Sequence, residues 1–149
     1  MIRISFTYII STDEAHFRMT QNFQLADIGL IGLGVMGFTM AGHLQSKNSN
    51  IEIRVYNRSI AKSEKWLSKF DGSLSTTPAE AAKDCDIVFM CVGNDYDVDQ
   101  VVRGENGVIS SIPENSIIVD HTTASAKISK ELYIYCKSSK NVSFLDAPV

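Results

Sequence analysis

Asp27-Ile28-Gly29-Leu30-Ile31-Gly32-Leu33-Gly34-Val35-Met36-Gly37 joins a short apolar run to three glycines spaced G-x-G-x-x-G, and an amphipathic, proline-free segment follows directly. Strand, glycine turn and helix start in that order are the context in which this spacing signifies a dinucleotide site. Gly32 permits the tight turn, Gly34 lets a pyrophosphate approach the backbone, and Gly37 lets the helix lie close on the strand. Leu33, Val35 and Met36 complete the loop, whose free N–H groups and positive helix end face the phosphates. Glycine-rich turns also arise by chance, so the motif needs support from the rest of the chain.

Outward from the turn, the chain alternates. Val35 to Lys47 is predicted as a helix, with Met36, Met40 and Leu44 at helical spacing and Gly37 and Ala41 small where close packing on a sheet requires it. Ile51 to Tyr56 alternates apolar and polar residues as a strand does. Ser59 to Phe70 is a second helix, apolar at Ile60, Trp66, Leu67 and Phe70, and a short strand follows around Ser73 to Ser75. Thr77-Pro78-Ala79-Glu80 reads as a helix start with a capping threonine, proline in the first helical position and a glutamate reaching back. That helix is expected to end near Asp84. Ile87 to Val92 is a continuous apolar run, as in a strand buried on both faces. Gly93-Asn94-Asp95 turns into a helix from Tyr96 to Arg103, followed by a strand from Ser116 to Asp120, a helix from Ser125 to Ser138 and a strand from Val142 to Leu145. The fold class this implies is α/β, a Rossmann-like, doubly wound and mainly parallel sheet with helices on both faces. Ligands of such sheets bind at the carboxyl ends of the strands.

Composition fits one ordinary domain: 149 residues, 44% hydrophobic and 21% charged. A net charge of −3 without a basic run argues against a nucleic-acid partner. No apolar run approaches the roughly 18 residues of a membrane span. The three cysteines, Cys85, Cys91 and Cys136, form no C-x-x-C pair, and their odd number favours a reducing compartment. A cytoplasmic location is expected. Residues 1–26 open MIRISFTYII, with no convincing cleavage site for a signal peptide. An edge strand from Ile2 to Ile10, or a start at Met19, are open alternatives to the expected extension without chemistry.

An NAD site calls for an acidic residue about 20 residues past the glycine motif. Here the end of the second strand is Tyr56-Asn57-Arg58-Ser59, and the nearest acid, Glu52, lies at the strand's beginning. Arg58 offers a planar guanidinium suited to a phosphate or to stacking on adenine, with Asn57 and Ser59 as small polar contacts. NADP is therefore preferred over NAD, with an exposed helix-start arginine as the plain alternative.

Six motifs now stand in order: GLIGLGVMG, VYNRS, CVGNDYDV, GENGVI, VDHTT and FLDAPV. Together they resemble the β-hydroxyacid dehydrogenase family, which includes 3-hydroxyisobutyrate dehydrogenases and, more distantly, 6-phosphogluconate dehydrogenase and the imine reductases. The resemblance covers Asp27 to Val149. It implies that Gly32 to Gly37 hold the pyrophosphate and that Asn57, Arg58 and Ser59 hold the adenosine 2′-phosphate. Val92 and Gly93 would line the cofactor, Asp97 would lie near it, and Thr123 would sit beside the nicotinamide ribose. Asp97 stands where relatives often carry a neutral polar residue. Asp120 is expected to terminate its strand and satisfy backbone groups.

In that family a serine-glycine-glycine substrate segment follows DAPV, with a general acid/base lysine and an all-helical dimerisation domain beyond it. The expectation is a cofactor-binding domain over residues 27–149, cut before those parts and holding no catalytic residue of its own. The complete protein would move a hydride between NADP (NAD being possible) and a small 3-hydroxy acid or semialdehyde. Homo-oligomers are expected only with the helical domain. The alternative is a non-catalytic module that senses a nucleotide or binds a protein through the same pocket. A coding sequence that continues into serine-glycine-glycine and a later lysine discriminates the two.

Other constellations carry less. Asp95-Tyr96-Asp97-Val98-Asp99 imitates the start of a calcium loop, but Gln100 and Asn106 stand where an EF-hand needs glycine and glutamate. An acidic helix start favoured by the dipole is the better reading. His16, His43 and His121 form no metal-ligand pattern. His121 follows a strand near the expected nicotinamide, where a loop role outweighs proton donation, and Cys91 reads as core rather than nucleophile.

Overall fold

The computed structural model describes residues 27–149, so the expectations for the first 26 residues lie outside it. Six strands form one sheet: β1 (Asp27–Ile31), β2 (Glu52–Tyr56), β3 (Ser73–Leu74), β4 (Ile87–Met90), β5 (Ile117–Asp120) and β6 (Ser143–Asp146). Between them lie α1 (Val35–Lys47), α2 (Ile60–Leu67), α3 (Pro78–Ala82), α4 (Asp95–Arg103) and α5 (Ala126–Lys140), with a short 3-10 turn at Val108–Ser110 before β5. The strand order is β3-β2-β1-β4-β5-β6, and every neighbouring pair is parallel. This is the doubly wound α/β arrangement expected. Strand order reverses between β1 and β4, and the crevice at that reversal is where such sheets bind ligands.

Alternation along β1 sends its side chains to two cores. Ile28 and Leu30 join Ala41, Ile53, Val55 and Trp66 beneath α1 and α2. Ile31 joins Val88, Met90, Val98, Val102, Leu132 and Cys136 beneath α3, α4 and α5. Gly29 faces this second layer, and a Cβ there would stand 2.6 Å from the Ala81 carbonyl oxygen, so α3 can lie directly on the strand. The register Ile28 to Ile53 and Leu30 to Val55 stacks β-branched and leucine side chains across the β1–β2 pair.

The acids on these strands collect at the edge opposite the crevice. Asp27 pairs with Arg54 at 2.7 Å, and Glu52 lies 3.6 Å from the same guanidinium while accepting a bond from the Ser73 hydroxyl at 3.0 Å. Helix ends follow local chemistry. Thr77 caps α3 by accepting from Glu80 N at 3.1 Å, and the Glu80 carboxylate reaches back to the N–H and hydroxyl of Thr76, one residue beyond the expected box partner. Those bonds hold the Glu80 carboxyl below its usual range. Helix α5 runs two residues past the expected Ser138, because Asn141 closes it in the left-handed conformation at φ 54°.

Three expectations change. Met36 and Ile60, read as members of the apolar stripes, are half-exposed or more, and each lies in the opening turn of its helix. Residues Gly37, Ala41 and Gly42 make the buried side of α1 instead. Helix α2 stops at Leu67 rather than Phe70, which leaves Phe70 free to pack on Trp66 and Phe38 at centroid distances of 5.2 and 6.1 Å. Strand β4 ends at Met90 rather than Val92, because Val92 N leaves the ladder to bond the Thr122 hydroxyl at 2.9 Å.

Candidate functional site

The glycine turn occupies the crevice between β1 and β4. Gly32 has φ +91°, a conformation that side chains rarely adopt, and a Cβ there would lie 2.2 Å from the Cys91 carbonyl oxygen. Gly37 is equally constrained by contact: its Cβ would stand 1.9 Å from the Gly32 oxygen. Gly34 differs from both, with nothing of the protein within 4 Å of the position a Cβ would take. The space above Gly34 is open, as a ligand approaching the backbone requires. Around it Leu33 is buried, whereas Val35 is 88% and Met36 50% exposed.

Hydrogen bonds fix the turn from below. Gly32 N donates to the Tyr56 carbonyl oxygen at 2.9 Å and Leu33 N to Asn57 Oδ1 at 2.9 Å, while Asn57 Nδ2 donates to the Ser59 carbonyl oxygen at 3.0 Å. Asn57 thus ties the glycine turn to the loop that starts α2. Ser59 stands at the N-cap of α2 and Gly34 at that of α1, and neither helix has a side-chain cap or an acid in its first turn. The other three helices are capped, by Thr77, Asn94 and Ser125. Both bare helix starts lie beside the crevice, as does the Asn94-capped start of α4, and their dipoles and first-turn N–H groups face a ligand entering it.

Arg58 is 85% exposed and reaches across the crevice mouth, its Nη1 lying 3.2 Å from Asp97 Oδ1. Asp97 is held on the first turn of α4, its N–H donating to Asn94 Oδ1 at 3.0 Å. Its carboxylate lies over Gly93, where a Cβ would stand 2.6 Å from Oδ2. Val92 is half-buried and Gly93 exposed at the same strand end. Thr123 is exposed, its hydroxyl donating to the Val149 carbonyl oxygen at 3.5 Å. The structure therefore gathers the glycine turn, Asn57 to Ser59 and Val92 to Asp97 around one crevice, with Thr123 in the loop after β5.

The acidic run on α4 divides among three partners. Asp95 accepts from the N–H and hydroxyl of Ser125, which holds its carboxyl below the usual range and ties α4 to the start of α5. Asp97 takes Arg58, and Asp99 takes Arg103 four residues on. Among the described residues, no group of three or more His, Cys, Asp or Glu side chains could hold a metal ion.

Two supporting residues escaped the sequence reading. Thr122 is buried and links Asp120 to Val92: its N–H donates to Asp120 Oδ1 at 2.8 Å and its hydroxyl accepts from Val92 N at 2.9 Å. Asp120 is fully buried and its Oδ2 has no hydrogen-bond partner among the described residues; burial pushes its carboxyl up against the opposing pull of the Thr122 bonds. Asp95 looked like one more dipole-favouring acid, and only its distance from Ser125 in the fold reveals the link. His121 stacks on Phe89 at 5.9 Å with Nδ1 at 2.7 Å from the Ala147 carbonyl oxygen, a packed loop residue. Cys91 is half-buried, and burial, its largest influence, raises its thiol. His43 lies on the exposed side of α1.

A parallel sheet of this order, with a positive-φ glycine turn and an uncapped helix at its reversal point, defines a Rossmann-type dinucleotide-binding domain. Residues 27–149 match the family described as the NAD binding domain of 6-phosphogluconate dehydrogenase, and the chain belongs to that family. It is 48% identical over 125 residues to an uncharacterised oxidoreductase of Shewanella frigidimarina, covering 84% of this chain and 42% of that protein. It is 31% identical over 122 residues to a probable mitochondrial 3-hydroxyisobutyrate dehydrogenase-like protein of Arabidopsis thaliana, covering 82% of this chain and 40% of the other. Among solved structures, an imine reductase from Myxococcus stipitatus in complex with NADP+ superposes with a TM-score of 0.65 at 27% identity, covering 83% of this chain and 40% of that one. The chain thus spans about two fifths of the length of these relatives.

Proposed function

We propose that residues 27–149 form the NADP(H)-binding half of an oxidoreductase that moves a hydride between the nicotinamide and a small 3-hydroxy acid or semialdehyde. One observation carries the cofactor reading: among the described α-helices, α1 and α2, which start at the glycine turn and at the loop Asn57 ties to it, lack side-chain caps, while α3, α4 and α5 are capped. In this reading the turn from Gly32 to Gly37 holds the pyrophosphate, and Val92, Gly93 and Thr123 line the nicotinamide half. Asn57 orders the loop, leaving Arg58 and Ser59 to meet the 2′-phosphate at the bare start of α2. A carboxylate at the end of β2 would favour the free ribose of NAD, and the loop from Tyr56 to Ser59 has none. When bound, the nicotinamide supplies the hydride donor or acceptor; the chain's own residues orient it.

The substrate class follows the 3-hydroxyisobutyrate dehydrogenase-like relatives and belongs to a protein of their length, with this domain binding cofactor without turnover. The three free thiols suit a reducing, cytoplasmic setting. Among the described residues, no helix is long and apolar enough to cross a membrane.

Titration of the purified chain with NADPH and NADH, followed by calorimetry, tests the reading. Binding of NADPH in the micromolar range is expected, and no binding of either nucleotide at millimolar concentration overturns it. Arg58→Ala is expected to weaken NADPH about ten-fold, the scale of a charged hydrogen bond, and NADH less than two-fold. An equal loss for both removes the phosphate role.

A further inference from the structure

We propose that Asp97 is a built-in competitor for Arg58, a residue that limits how strongly this domain discriminates NADP from NAD. The proposal rests on the phosphate role of Arg58 given above. The guanidinium is the cation of the proposed 2′-phosphate site, and it is already engaged, Nη1 to Asp97 Oδ1 at 3.2 Å. The two partners come from separate elements, the loop after β2 and the first turn of α4, so their pair closes across the crevice mouth.

Asp97 is fixed more firmly than Arg58. Its side chain is 21% exposed against 85% for the arginine, its N–H is capped by Asn94, and its carboxylate occupies the space left by the missing side chain of Gly93. Arg58 is the exposed partner, paired with an anchored carboxylate. A phosphate arriving at Arg58 must replace that carboxylate as its hydrogen-bond acceptor. NADH brings no 2′-phosphate and meets no such competition. The adjacent acids cannot substitute for Asp97, because Asp95 is bound to Ser125 and Asp99 to Arg103.

An exposed ion pair is weak, so the competition is modest: displacing it costs NADPH about two- to five-fold in affinity, the range of exposed pairs measured by double-mutant cycles. Salt screens such a pair, so the effect shrinks as ionic strength rises.

The test is calorimetric titration of the full chain and its Asp97→Asn, Arg58→Ala and double variants with NADPH and NADH at low and high salt. Asp97→Asn is expected to tighten NADPH about two- to five-fold at low salt, to give NADH no gain, and to lose its benefit in the Arg58→Ala background. If Asp97→Asn leaves NADPH unchanged or weaker while Arg58→Ala still selects against NADPH, the competition is overturned and the phosphate role stands. A gain that persists without Arg58 also overturns it, since the acid would then act on the phosphate directly. If Arg58→Ala weakens both nucleotides equally, the phosphate role and the competition fall together.

Discussion

Replacing Gly37 and Gly34 separately by alanine should split the two jobs of the glycine turn. At Gly37 the new Cβ would stand 1.9 Å from the Gly32 oxygen, where Cβ contacts below 3.0 Å essentially never occur, so α1 must retreat from the turn by about 1.1 Å. Overpacking of this kind costs roughly 1–3 kcal/mol. Alanine's preference for the helix interior returns about 0.5–1 kcal/mol. Mid-range values leave a net loss of about 1.2 kcal/mol, or a fall of roughly 0.6 M in the urea midpoint at the slope of a small domain. At Gly34 the backbone has φ −69° and ψ −169°, which alanine tolerates, and the methyl meets no protein atom. Stability should move by less than about 0.5 kcal/mol, because the poorer cap is offset by a stiffer unfolded chain. The methyl does enter the space proposed for the pyrophosphate, and NADPH affinity should fall about ten-fold or more, some 1.4 kcal/mol. Urea unfolding followed at Trp66, with NADPH titration of each variant, separates the effects. A Gly37→Ala chain as stable as the parent would refute the steric reasoning, and full NADPH affinity in Gly34→Ala would refute the placement of the ligand.

Two further outcomes concern buried acids. Burial pushes the Cys85 thiol up to about 12 and that of Cys136 to about 11, from 9.0. Both protons are held more tightly in the fold, so the stability they contribute is whole below pH 9 and is lost as the pH climbs from 9 towards 11 and 12; a Cys85→Ser, Cys136→Ser chain should show a flatter decline in urea midpoint over that window, and an unchanged slope counts against it. Asp120→Ala should cost about 1–3 kcal/mol by stranding the buried Thr122 N–H. Asp120→Asn, which keeps an acceptor there, should cost less than half as much in the same urea assay, and equal losses would mean that the Thr122 bond is not what Asp120 supplies.

The alternation of strands and helices was legible because hydrophobic period and turn chemistry agree along this chain. IVFMCV has the continuous apolar character of a strand covered on both faces, and Thr77-Pro78-Ala79-Glu80 marks a helix start through local backbone bonding. The glycine turn was equally open, since φ +91° at Gly32 and the tight seat of Gly37 are demands that glycine alone meets. What sequence could not supply was partnership across distance. The acids at 95, 97 and 99 look alike in a string; Asp99 has its partner Arg103 four residues on, but only the approach of α4 to the start of α5 and to the loop after β2 gives Asp95 to Ser125 and Asp97 to Arg58. Asn57 is expected at the ligand from its place after β2, and the string does not show that its Oδ1 also holds Leu33 N. Met36 and Ile60 mislead for a related reason, as helical periodicity does not reveal that side chains in the opening turn of a helix can stay exposed.

With a nucleotide seated as proposed, the bare starts of α1 and α2 would make the ligand a participant in folding. A missing cap forgoes about 1 kcal/mol per helix, and an anion seated on those N–H groups restores it only while bound. At a nucleotide concentration a hundred times its dissociation constant, the native state gains about 2.7 kcal/mol. The lifetime of this chain, under heat or protease, would then follow the size of the nucleotide pool around it, and depletion of that pool would register as loss of the protein itself.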